Sequence, residues 1–445
     1  MQKIVIKNHG PVKDCKLAIK DFIICTGPQA SGKSTVAKSI FFFKNLKNIL
    51  YSQVRKKILL ADSVEEENVE LKTWLKFVRE IRANFLQIFG TTWHMDKKMN
   101  LEYWYSKDIY IQISLKEGAD YPNYIWVTFS QELEKRLDEL DRIIVSNENT
   151  AEEKLDKVRE RIATCFEDER EVVYIPAGRS MITLLSNQLN YIYSSMDDAQ
   201  KRNLDYCTQN YLERILQMKA TFSFSIKEQI ANKIHMTDEK VNISLFNEAA
   251  NLMHDILQGE YVNREGEERL QLENGKYVRI NFASSGQQEV VWILNVLFYY
   301  LLNNKKIYFI IEEPESHLFP NAQKLIAEFI ALVQKGGKSQ VFITTHSPYI
   351  LGTFNNLLYA HRISKYVDKK RLSEIIPENK WLDFEKVAAL FIEHGNIYSC
   401  LDEEFESIQN EVIDGASEDI NNDFDRMAEL KEIFWPEEES YEYTV

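Results

Sequence analysis

The chain has 445 residues, 44% of them apolar and 12% aromatic, enough to bury a large core and longer than one average domain, which points to two lobes. Its formal net charge of −14 lies in residues 401–445, where sixteen carboxylates face two cations; residues 1–400 carry 52 charges of each sign and exert no global pull on nucleic acid. No apolar run approaches about eighteen residues, no charged-then-apolar leader opens the chain, and five scattered cysteines lack a CxxC pair. Disulfides, zinc and a membrane span are therefore not expected, and the cytosol fits best.

In chain order, Ile4–Lys7 reads as a strand, Asn8–Pro11 as a turn, and Cys15–Cys25 as one or two further strands. The apolar run Phe22–Cys25 leads into Gly27, Pro28, Gln29, Ala30, Ser31, Gly32, Lys33 and Ser34, which fit the eight-residue phosphate-loop pattern in full, with a helical pattern from Thr35 to about Leu60. Strand, glycine loop and helix are the context that motif needs. Backbone N–H groups at the helix start would wrap a β-phosphate, Lys33 would reach the β/γ oxygens, and the Ser34 hydroxyl would hold Mg²⁺. Lys44, Lys47, Arg55, Lys56 and Lys57 form a local cationic cluster, readable either as a solvated helix face or as a contact for nucleic-acid phosphates.

Residues 65–90 and 131–170 read as amphipathic helices, Leu133, Leu137, Leu140 and Ile144 marking one face, while Ile109–Leu115 and Tyr124–Phe129 alternate like strands. Glu171–Pro176 reads as a buried strand stopped by proline, and Met181–Met196 and Asp205–Ala220 as helices. A second informative zone opens at Glu268, where Asn274-Gly275 between Arg269–Leu272 and Tyr277–Phe282 predicts a type I′ hairpin. Ser284, Ser285, Gly286, Gln287 and Gln288 then lead into an apolar helix at Val290–Leu302, putting a second anion site at a helix start. The wholly apolar Ile307–Ile311 reads as a parallel strand buried on both faces, ending in Glu312 and Glu313 where ligands bind such sheets. A helix over Asn321–Gln334 returns to a strand at Gln340–Thr344, which ends at the same edge in Thr345-His346-Ser347-Pro348.

The ordered motifs GPQASGKS, SSGQQ, IIEEPESHLFP and TTHSP resemble the ABC-type ATPase head of SMC-like proteins, OLD-type nucleases and the ATPase subunits of bacterial anti-phage systems such as Septu and PARIS. The opening IVIKNHGPVKD and the mid-chain YIPAGRS are similar to elements of the same group. The resemblance covers residues 1–60 and 268–361. It implies an α/β P-loop NTPase head with a mixed, largely parallel sheet and an antiparallel β-subdomain, formed by residues 1–60 and 266–400. Outside the resemblance, periodicity and charge give a mainly helical insertion with short strands at 61–265 and an acidic segment at 401–445. The same resemblance gives ATP and Mg²⁺ as ligands: residues 27 and 29–35 on the nucleotide, Ser34 and Glu312 on the metal, Glu313 on the attacking water, His346 on the γ-phosphate. Ser285, Gly286 and Gln288 would cap ATP held by a second head, so a homodimer or higher homo-oligomer is implied. Two departures stand out: SSGQQ replaces the common LSGGQ, and Glu312 replaces the usual Asp. Both keep the donor and acceptor chemistry. Arg179 is left between a phosphate or interface role and a structural one.

OLD-type proteins continue into a nuclease domain, of which Phe391–Gly395 and Asp423–Asp425 give only a superficial echo, too close together for the βαβ unit required. Two functions stay open: a defence-type ATPase that senses or scaffolds for a separate nuclease or toxin effector, and a repair or chromosome-maintenance ATPase acting on DNA in the SMC or RecF manner. A transporter ATPase is a weaker third. In 401–445 acidic residues interleave with Phe405, Ile408, Phe424 and Trp435, suited either to docking on a basic, partly apolar surface, of a partner effector or of the head's own Lys44–Lys57 cluster, or to a closing helix packed on the head.

Overall fold

The computed structural model describes residues 1–60, 73–116, 123–145, 150–183, 205–236, 242–273 and 275–409, with short pieces at 195, 422 and 425–427. The chain opens with the hairpin β1 (Lys3–His9) and β2 (Val12–Ala18), then β3 (Phe22–Thr26) and the long helix α1 (Lys33–Leu60). Helix α2 (Thr73–Phe89), strands β4 (Asn100–Trp104), β5 (Tyr110–Lys116) and β6 (Tyr124–Phe129), helices α3 (Gln131–Val145) and α4 (Ala151–Phe166) and strand β7 (Glu171–Ile175) follow. Helices α5 (Tyr206–Met218), α6 (Ile226–Met236) and α7 (Ile243–Leu257) lead to a small sheet of β8 (Glu260–Arg264), β9 (Glu267–Gln271) and β10 (Tyr277–Arg279). The remainder is α8 (Ser285–Leu302), β11 (Ile307–Glu312), α9 (Pro320–Gly336), β12 (Gln340–Thr344), α10 (Pro348–Ile363), α11 (Lys369–Ile375), β13 (Val387–Glu393), β14 (Asn396–Ser399), β15 (Leu401–Asp402) and β16 (Ser407–Ile408).

One sheet of eleven strands, in the order β6-β5-β4-β1-β2-β14-β13-β3-β12-β11-β7, carries the architecture. From β7 to β13 neighbouring strands run parallel; from β2 to β6 they run antiparallel, as the α/β class with an antiparallel limb requires. Strand periodicity sends alternate side chains to opposite faces. Phe22 and Ile24 of β3, with Phe309 and Ile311 of β11, join the core under α7 to α10, while Ile23, Cys25, Tyr308 and Ile310 join the core under α1 and α2. With both faces covered, β11 is buried along its whole length, which is why it reads as an unbroken apolar run.

Residues 61–265 contribute β4 to β7 to this sheet, so the expected helical insertion is structurally continuous with the head: β7 is the far edge of its parallel half. The helical stretch 131–170 divides into α3 and α4, because Thr150 starts α4 with a capping box to Glu153 and Glu167 closes it in a left-handed conformation. Phe391–Gly395 is also absorbed into the head, as the end of β13 and its turn into β14; Asp423 and Phe424 lie outside the described residues. So do Asn274 of the predicted hairpin turn, most of the Met181–Met196 helix and most of 401–445. The first part of that acidic segment belongs to the fold: Leu401 pairs with Ile408, which is fully buried and whose N–H donates to the Asn355 side chain on α10 at 3.0 Å.

The cationic cluster on α1 is split by burial. Lys44 and Lys47 are buried, their ammonium groups 3.1 and 3.4 Å from Asp168 Oδ2. Burial pushes the Lys44 pKa down to about 8 even beside a carboxylate. Burial alone would raise Asp168, but Lys44 and Lys47 together outweigh it and hold it at about 2. These two lysines tie α1 to the segment between α4 and β7, so for them neither alternative holds, the solvated helix face or the contact for nucleic-acid phosphates.

Candidate nucleotide site

The phosphate loop is shaped by backbone crowding. Gly27 has φ +141°, and a Cβ there would lie 2.3 Å from the Ile392 carbonyl of β13; at Gly32 (φ +115°) a Cβ would lie 2.8 Å from the Val12 side chain. Only glycine fits either position. Ala30 also takes a positive φ, 60°, and Pro28, Gln29 and Ala30 are exposed along the loop rim. Helix α1 begins at Lys33 with no acidic residue in its first turn, leaving its positive end to an anion, with Ser34 exposed and Thr35 half-buried there.

Lys33 folds back on the loop, its ammonium donating to the carbonyls of Gly27 (2.9 Å) and Pro28 (2.8 Å). Burial lowers its pKa, opposed by the charges of Glu313, Glu315 and Glu312 among others, which places all three carboxylates within electrostatic reach of the ammonium. Glu312 ends β11, buried, with Oε2 accepting from the Ala177 N–H at 3.4 Å and Oε1 buried without a hydrogen-bond partner. An orphaned buried carboxylate oxygen, the exposed Ser34 hydroxyl and a nearby ammonium suit a hard cation shared with phosphate oxygens.

Glu313 turns the chain with φ 44°, a left-handed conformation that a non-glycine residue adopts at some cost. It is held there by its N–H donating to the Thr344 carbonyl at 2.9 Å and its carbonyl accepting from Arg179 at 2.9 Å. Its carboxylate Oε1 lies 3.6 Å from His346 Nε2, both side chains somewhat over one third exposed. Burial and the Lys33 charge lower the His346 pKa while Glu313 opposes them, so the imidazole is neutral at pH 7.

At the signature segment, Ser284 caps α8 with a capping box to Gln287, so the helix begins at Ser285 rather than at Val290. Gly286 has no room for a side chain: a Cβ would meet the His317 carbonyl at 2.6 Å. Ser285 is exposed on the first turn. Gln288, expected to face a second head, is instead buried and donates to the carbonyls of Ile280, Ile280's neighbour Asn281, and Ala283, closing the turn before α8. Its amide is used inside the chain, which corrects that assignment.

Two residues escaped the sequence reading. Glu315 is buried and accepts from Thr345 Oγ1 (2.7 Å) and the His346 N–H (2.8 Å), clamping the histidine loop; burial raises its pKa. The third carboxylate of EEPES was its signal. Glu289 is the other: it holds Arg179, which is fully buried and points at backbone carbonyls, not at a phosphate or an interface.

Over residues 1–351 the sequence matches the AAA ATPase domain family. The chain belongs to that family. As a member, it is an ATPase by class, and the loop, carboxylate and histidine geometry lies almost wholly inside the matched span. Endonuclease GajA of Bacillus cereus (strain HuB5-5) is 25% identical over 237 residues, 46% of this chain and 32% of that protein, so the chain spans about a third of the relative's length. Among solved structures, an SMC head domain with an extended coiled coil, bound to the C-terminal domain of ScpA and derived from Pyrococcus furiosus, overlaps 95% of this chain and 100% of that one, with 12% identity and a TM-score of 0.39. The ATP-binding cassette MJ0796, as a dimer in a post-hydrolysis state bound to ADP and Pi, overlaps 90% and 98%, with 12% identity and a TM-score of 0.30.

Proposed function

We propose that the protein hydrolyses ATP with Mg²⁺ between two heads placed face to face, and that it serves as the sensing or scaffolding ATPase of an anti-phage system whose nuclease or toxin effector is a separate chain. The observation that carries the hydrolytic part is the convergence of Lys33, Glu312, Glu313 and His346 on one edge of the parallel sheet. Residues 27 and 29–35 cradle the phosphates, the Lys33 ammonium leaving its own loop carbonyls for the β/γ oxygens. Ser34 and Glu312 would hold Mg²⁺, which supplies charge neutralisation on those oxygens. Glu313 takes the proton of the attacking water, and the neutral His346 donates a hydrogen bond to the γ-phosphate. Ser285 and Gly286, at the open start of α8, approach the ATP of the opposite head. The protein would work in the cytoplasm; no described helix is long and apolar enough to cross a membrane.

The defence reading is supported by the relation to Endonuclease GajA, and the nuclease echo at Phe391–Gly395 is taken up by β13 and β14, which join the eleven-stranded sheet that carries the phosphate loop. Direct action on DNA, as in repair or chromosome maintenance, is the second reading; it is weakened by the burial of Lys44 and Lys47 on Asp168. ATP turnover measured with and without Mg²⁺, for wild type and Lys33→Ala, tests the hydrolytic part. Mg²⁺-dependent turnover that Lys33→Ala abolishes together with ATP binding is expected; wild-type turnover in that variant would sink it.

A further inference from the structure

Arg179 stands in the turn after β7 with none of its surface exposed, and its guanidinium is spent on the backbone of two distant motifs. Nη1 donates to the carbonyls of Pro176 and Glu312, both at 2.6 Å, and Nη2 to that of Glu313 at 2.9 Å. On its other side, Nε donates to the Glu289 carbonyl at 3.0 Å and lies 3.4 Å from Glu289 Oε2. The Glu289 carboxylate is itself buried and accepts from the N–H groups of Arg179 and Ser180, both at 2.9 Å. Thr183 adds a further tie, its hydroxyl donating to the Gln288 carbonyl at 2.7 Å.

Glu289 lies one helical turn after Ser285 and Gly286, on the same helix α8. Glu313 carries the hydrolytic carboxylate on a left-handed peptide that Arg179 and Thr344 hold in place. The two ends are joined by one planar, permanently charged guanidinium, with no freely rotating bond between the Nε that meets Glu289 and the Nη2 that meets Glu313.

We infer that Arg179 and Glu289 form a positioning relay: movement of the first turn of α8, when Ser285 and Gly286 take hold of ATP on the opposite head, is passed through Glu289 and Arg179 to the Glu313 peptide. The relay rests on the two-head reading above. It makes Arg179 a positioning residue that touches no substrate, and it means that hydrolysis starts only once the opposite nucleotide is engaged.

The test compares Arg179→Lys and Glu289→Gln in the full chain with wild type. Lysine cannot reach the four carbonyls with one fork, and an amide oxygen cannot accept both N–H groups as the two carboxylate oxygens do. The expected result is a fall in kcat of roughly 100-fold, the scale of a misplacement of about 1 Å, with KM for ATP within about threefold of wild type. In a Glu313→Gln background, ATP-dependent association of heads should persist in both variants, so that association and hydrolysis come apart. Glu289→Gln, the smaller change, decides the matter where Arg179→Lys lowers the melting temperature. Wild-type turnover in both variants overturns the relay, as does joint loss of ATP binding and association. A Glu313→Gln chain that never associates with ATP removes the two-head reading itself, and the relay with it.

Discussion

The carboxylate of Glu313 and the imidazole of His346 face each other at 3.6 Å, brought together from the ends of adjacent parallel strands β11 and β12. Since burial and Lys33 lower the His346 pKa below its ordinary value near 6.5, the neutral ring predominates at pH 7 and above. His346→Ala should therefore cut kcat by about 10²-fold, the loss typical of one transition-state donor. Any ascending limb of the wild-type rate assignable to this histidine should have its midpoint below pH 6.5. Steady-state profiles of the two proteins check both statements.

Gly286 predicts a different failure. A methyl group there meets the His317 backbone, not a movable side chain, so Gly286→Ala must shift the start of α8 against the segment after β11. ATP binding to single heads, read by equilibrium dialysis, should stay within about twofold, because the phosphate loop is untouched. Turnover should fall at least tenfold, about 1.4 kcal/mol in barrier.

How far these features were legible in the sequence depends on which part of the fold set them. The loop Gly27–Ser34, the strand ending in Glu312 and the Thr345–Ser347 edge were readable because each is local: a motif or apolar run fixes its own geometry. Glu289, Glu315 and the inward turn of Gln288 were not, since each is defined by a partner more than a helix away or by which side of α8 meets the core. The same holds for Lys44 and Lys47, whose spacing on α1 says nothing of Asp168, over 120 positions on. The antiparallel limb was visible as alternating strands at Ile109–Leu115 and Tyr124–Phe129, but their pairing through β4 onto β1 is non-local.

The Lys44–Asp168 pair should matter for stability. Asp168→Asn leaves two buried ammonium groups without their carboxylate, a change that costs about 3–5 kcal/mol in buried pairs. The lower end is expected, because Lys44, already brought to about 8, sheds its proton readily once the carboxylate is gone. Denaturant unfolding at pH 7 measures it; a loss below about 0.5 kcal/mol, the level of an ordinary surface change, would contradict the burial argument.

His9 sets an acid limit. It is buried edge-on against Phe89, ring centroids 4.6 Å apart, with Nδ1 lacking a partner, and burial lowers its pKa from 6.5 to about 4. The unfolded chain then binds the extra proton, so this group's contribution is fully present above pH 6.5 and is lost as pH falls toward 4. The depression amounts to about 3 kcal/mol at most. His9→Leu should flatten the fall in melting temperature between pH 6.5 and 4; an unchanged slope would show that His9 is not its source.

The most direct measurement of the central claim is the mass of Glu313→Gln in solution, by size exclusion with light scattering, with and without ATP and Mg²⁺. The variant keeps the shape of the site and removes the base, so ATP should bind and persist, and the 52.3 kDa chain should shift with ATP to twice that mass or a higher even multiple. Bound, unhydrolysed ATP on a species whose mass does not change would contradict it.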